Sequence, residues 1–165
     1  MLDQAFEALT KFDWGTDLGA LASIEDAVVA AHGKPDDRQQ LEKRLIAALS
    51  GELSRDARDY VCRKLAIVGS AAAVPALAVL LVKNDSSHMA RFALERIPAP
   101  EAAAALRTAL PEVSGSLKIG VIGSLGNRRD AAAVGALGGL LKEGDAATAR
   151  AAALALGAVG NGEAA

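Results

Sequence analysis

Four short phrases set the rhythm of this chain. Leu65, Leu94, Ile122 and Leu156 each stand three residues before a second aliphatic residue, Val68, Ile97, Leu125 and Val159 respectively. Each phrase closes on Gly or Pro (Gly69, Pro98, Gly126, Gly160), residues that end helices. The leading residues recur at intervals of 29, 28 and 34. Between the phrases lies a second apolar series: Leu77/Leu80/Leu81, then Leu106/Leu110, then Leu137/Leu140/Leu141. Spacings of three and four place such residues on one helical face. The pattern therefore predicts a unit of two helices joined by a short turn, repeated about every thirty residues.

Upstream the rhythm loosens. Asp3 to Phe12 reads as a short opening helix ended by Trp14-Gly15. Asp17 to Ala31 reads as one helix, broken by Gly33 and Pro35, and Asp36 to Leu49 as the next, with Leu41, Leu45, Ile46 and Leu49 on its apolar side. Residues 1–53 are thus expected to hold divergent first repeats, and 54–165 the regular ones. The final helix, Ala146 to Val159, is Ala, Leu and Val on most sides. Finished repeat arrays usually carry a polar outer face on their last unit. The series is expected to be unfinished at residues 161–165, with self-association through this uncovered helix.

Composition agrees with helices. Hydrophobic residues make up 52% of the 165, yet aromatics only 3%, so Ala, Leu and Val carry the apolar content. This suits closely packed helices better than a sheet. A net charge of −2 argues against a nucleic-acid partner, which calls for a basic stripe. The longest apolar stretch, Ala71 to Val82, is too short for a membrane span and contains Pro75. Met1 to Glu7 has early acids and no apolar run, so it is not a signal peptide, and the cellular location stays open.

The phrase Ala155-Leu156-Gly157-Ala158-Val159-Gly160, with Arg150 before it and Asp145 opening the turn, resembles the HEAT repeat in its phycobilisome-lyase HEAT-like variant. Val74 to Leu81, with its proline, resembles the first helix of that repeat. Cys62 to Leu65, Ser87 to Glu95 and Gly120 to Asp130 are similar to HEAT segments of large exported multidomain proteins of planctomycete-like bacteria. Two departures stand out: Pro98 replaces the usual Gly, and only Arg58 falls at the family's arginine slot, Arg150 being one residue away. The resemblance implies an all-α fold, an α-α superhelix of about four to five helix pairs. It also implies a non-catalytic scaffold or spacer for a protein partner, a fragment of something larger, needing no cofactor or metal. The alternative it implies is a subunit of a bilin-lyase-like or other enzyme whose catalytic part lies elsewhere.

Candidate chemistry is sparse. Gly120, Gly123 and Gly126 lie three apart within a helical pattern, unlike phosphate loops, and are expected to admit a neighbouring helix. Cys62 is alone and reads as a small buried hydrophobe. His32 and His88 have no ligand-spaced companions, and Ser86 or Ser87 is expected to cap the helix carrying His88. Trp14 is expected to seal the first helix against the next. Asp130 is expected to cap the helix over Ala131 to Leu141, beside Arg128 and Arg129, which read first as solvated or paired with neighbouring acids and second as guanidinium forks for an anionic group of a partner. Arg63, Arg91, Glu95 and Lys118 lie on helices that would line a groove. Those four, with Arg128 and Arg129, are the candidate partner-binding residues.

Overall fold

A computed structural model describes residues 1–143 and 145–160. Ten α-helices follow one another among the described residues, with no strand between them. The order is α1 (Leu2–Thr10), α2 (Ala22–Ala30), α3 (Pro35–Leu49), α4 (Arg55–Val68), α5 (Val74–Leu81), α6 (Ser87–Arg96), α7 (Pro100–Ala109), α8 (Gly115–Asn127), α9 (Val134–Glu143) and α10 (Ala146–Val159). The protein is all-α. None of these helices is long and apolar enough to cross a membrane. The unfinished series expected at residues 161–165 lies outside the described residues.

Local chemistry explains the boundaries. Prolines occupy the first turns of α3, α5 and α7, where a missing N–H costs nothing. Gly33, at φ +74°, makes the left-handed turn between α2 and α3 that a side chain would strain. Ser54 and Asp145 cap α4 and α10, their side-chain oxygens accepting from backbone N–H groups two or three residues on. The helix expected from Asp17 to Ala31 begins differently. The Asp17 carboxylate accepts from the Gly19 N–H at 2.9 Å, tightening Leu18–Leu21 into a 3₁₀ turn before α2. Ser70 does the same before α5, where Ala71–Ala73 forms a 3₁₀ turn.

Substantial helix contacts connect only helices one or two apart in the chain. The even-numbered helices α4, α6, α8 and α10 touch in series, and α5 touches α7. Their shared core holds Leu65, Leu77, Leu81, Leu94, Leu106, Ile122 and Leu125, all buried. Each such side chain contributes about 1.5–3 kcal/mol relative to exposure. Most apolar slots read from the sequence are core positions, but Leu140 and Leu156 are only half-buried and Leu141 is exposed.

Candidate interaction surface

The six candidate residues divide by where their charge is spent. Arg91, on α6, is half-buried and donates from Nη1 to the Gly120 carbonyl at 3.1 Å and to Ser124 Oγ at 3.4 Å, both on α8. Burial pulls its guanidinium below the ordinary arginine value, against the opposing charge of Glu95. Glu95 accepts from Ser124 Oγ at 2.6 Å and from Asn127 Nδ2 at 3.0 Å. Arg91 and Glu95 thus belong to one network that joins α6 to α8.

Arg128 turns inward as well. Its Nη1 donates to the carbonyls of Leu94 and Ile97, and its Nη2 to that of Ala99 at 3.1 Å. The fork expected to meet an anionic partner instead satisfies the carbonyls left unpaired where α6 ends. That geometry corrects its reading as a partner contact. Its neighbour Arg129 is exposed, in the left-handed conformation at φ 51°, and remains a surface cation.

Arg63 and Lys118 stay on the surface side. Arg63 pairs with Asp59 at 2.7 Å, and its guanidinium lies 5.4 Å from the centre of the Phe92 ring. Arg96 covers the same ring at 3.7 Å. Phe92 between two guanidinium groups therefore bridges α4 and α6. Lys118 is half-buried on α8 and has no ion-pair partner among the described residues.

Each of α4, α6, α8 and α10 leaves a row of residues, four apart, on its open side. The rows are Asp59/Arg63/Ile67, His88/Phe92/Arg96, Ile119/Gly123/Asn127 and Arg150/Leu154/Ala158, each residue exposed or half-exposed. No family model matches the chain, and no curated protein matches it.

Several residues with structural work went unread in the sequence. Arg38, on α3, donates to the carbonyls of Ile67, Val68 and Gly69, gripping the end of α4 as Arg128 grips that of α6. Glu42 is buried and accepts from the Ser70 N–H at 2.6 Å. Arg107 pairs with Asp130. In both cases the first helix of one pair holds the turn that opens the next. Glu42 could have been found: it precedes Leu45 by three and Leu49 by seven, on the buried face.

Other expectations are corrected. Asp130 precedes the Ala131–Ala133 turn but makes no side-chain cap, its carboxylate being taken by Arg107. The Ser86 hydroxyl donates to Asp85 at 2.9 Å and caps nothing, and Ser87 Oγ finds no partner among the described residues. Trp14 is 90% exposed and seals nothing. Asp13 accepts from the Trp14 N–H and donates its own N–H to Thr16 Oγ, closing the loop on itself. Phe12 fills the core position instead, against Tyr60. Cys62 is fully buried, as expected; burial, then the charge of Asp59, pushes its thiol up to about 12. It holds its proton at neutral pH.

Proposed function

We propose that this chain is a HEAT-like α-solenoid of helix pairs acting as a non-catalytic scaffold that binds a protein partner along its even-numbered helices. The observation that carries this is the exposed rows on α4, α6, α8 and α10, helices that contact one another in series. Repeat stacking makes extended surfaces of this kind. The rows differ along the array: Arg63, Phe92 and Arg96 form a charged and aromatic cluster on α4 and α6, while Gly123, Leu154 and Ala158 make the α8 and α10 rows smaller and more apolar, with Arg150 the charge that remains there. A partner helix or extended segment with acidic groups at one end and aliphatic ones at the other fits that sequence of side chains. Arg63 and Arg129 are the candidate contacts whose charge faces outward.

The same reading includes self-association. Leu154, Val134 and Leu141 on the last helix pair are 68%, 39% and 42% exposed. Against one another in a dimer they would be covered.

Photo-crosslinking side chains placed at Arg96 and Leu154, with Val79 of α5 as a control, test the scaffold. A discrete adduct with one partner from the first two positions and none from Val79 is expected in the native host. No adduct from any position leaves the rigid-spacer reading. X-ray scattering tests the solenoid: its radius of gyration should exceed the roughly 15 Å of a compact domain of this length. Sedimentation, with Leu154→Glu as the comparison, tests the dimer.

A further inference from the structure

The single tryptophan stands over a cavity that the scaffold reading does not use. The cavity, of about 460 Å³, lies between the α1–α2 connection and the start of α4. Phe12 and Tyr60, both buried, are among its lining residues, and Trp14, 90% exposed, is another. Tryptophan carries the largest apolar surface of any side chain, and leaving it in water forgoes the stabilisation that burial would give. Nothing among the described residues covers this one.

The charges around the cavity are unbalanced. Four carboxylates line it, and two cations. Lys64 pairs with Glu25 at 2.6 Å, and Arg63 with Asp59 at 2.7 Å. That leaves Asp13 and Asp56 without a cation among the described residues. The Lys64 ammonium also lies 4.8 Å from the centre of the Tyr60 ring, so the site already holds one ammonium against one aromatic face. The Trp14 indole offers a second face with nothing on it. A bare metal ion does not suit this arrangement: among the described residues, no three His, Cys, Asp or Glu side chains are grouped to hold one. A cation with an apolar body does, since it can meet an indole face and two carboxylates without losing a tight hydration shell.

We propose that the Trp14 cavity binds an organic ammonium ion, held by cation–π contact with Trp14 and by the charge of Asp13 and Asp56. The occupant is either a free quaternary amine or the methylated lysine of a protein, and the two share one recognition chemistry.

Because Trp14 is the only tryptophan, its fluorescence reports this site alone. Titration with choline at constant ionic strength should give a saturable change in emission. The neutral isostere 3,3-dimethylbutan-1-ol should bind about tenfold more weakly, as expected for loss of a cation–π contact and two ionic attractions. By calorimetry, Trp14→Ala should abolish choline binding and Trp14→Phe should retain part of it. The double variant Asp13→Asn/Asp56→Asn should weaken it severalfold. All these side chains lie on the surface, and unchanged thermal melts would show that each variant is folded. A trimethyllysine peptide binding more tightly than choline identifies a protein side chain as the occupant; the reverse identifies a free amine. Choline and the alcohol binding equally, no saturation with choline or the peptide, or full binding by Trp14→Ala would each overturn the proposal.

Discussion

α8 meets its two neighbours in the even-numbered layer by opposite means. Toward α6 it presents polar groups: Ser124 and Asn127 bond to Glu95, Arg91 reaches the Gly120 carbonyl, and Arg128 grips the end of α6. Toward α10 it presents bare backbone. A Cβ at Gly126 would stand 2.9 Å from the Cα of Ala155. The glycine spacing permits both. Three residues turn a helix by about 300°, about 60° short of one full turn, so Gly120, Gly123 and Gly126 step round the surface by about 60° each. Gly120 thereby faces the Arg91 guanidinium, whose Cζ would be 2.5 Å from a Cβ there. Gly126 faces α10, and Gly123, between them, faces open space. One stripe of small residues serves a polar joint on one side and a close-packed joint on the other. Successive helix joints in one protein can therefore be made by different chemistry.

The close-packed joint should be the easier to break by adding atoms. Gly126→Val pushes a branched side chain into the backbone of α10, where neither partner can yield. We expect a loss of about 3 kcal/mol in urea unfolding, with a smaller loss for Gly126→Ala. The polar joint should instead break by subtraction. Arg128→Ala strands the carbonyls at the end of α6 and should cost about 2 kcal/mol, and Arg128→Lys should not restore it, because a lysine cannot span three carbonyls at once. Stability measured by denaturant titration checks both.

Gly123 supplies the sign test. It touches neither neighbour, so Gly123→Ala should stabilise by roughly 0.5–1 kcal/mol through lower chain entropy and better helix propensity. A loss there would mean that something packs against the open face of α8 that carries Gly123. The smallest effect belongs to a contact remote from both joints. Burial alone would raise the Glu25 carboxyl, but hydrogen bonds from Lys64 and Tyr60 and the Lys64 charge outweigh it and hold the group below its ordinary 4.5. A lowered carboxyl adds stability above its unfolded-state value and loses it as pH falls through the folded one. Glu25→Gln should therefore be the less stable protein at neutral pH, and its melting temperature should converge on that of the parent below about pH 4.5.

The helices were legible because their signals are local. The apolar spacing and the capping Asp145 place α10 at Ala146–Val159, as read, and Pro35 with Leu41, Leu45 and Leu49 places α3 within one residue. The close packing expected of the glycines holds for Gly126 against α10; at Gly120 a side chain fills the space, and Gly123 is open. The candidate site was less legible. A polar residue on a helix looks the same in the sequence whether its guanidinium points to a partner or to the carbonyls of the previous turn. Arg128 and Arg129 are neighbours, yet one is spent on α6 and the other is free in solvent.

By itself the sequence determined which residues form helices, where those helices stop, and which of their faces are apolar. Those outcomes depend on interactions between residues a few positions apart, and chain geometry fixes them wherever the helix ends up. Only the tertiary structure decided which charges remain for another molecule. Arg91 meets Gly120 and Arg128 meets Ile97 across about thirty residues of chain, and Trp14 stays in water because Phe12 reaches the core first. Such pairings depend on the angle and distance at which one helix lies on the next. Those are set by the summed packing of every side chain in the joint, and no single stretch of sequence contains them.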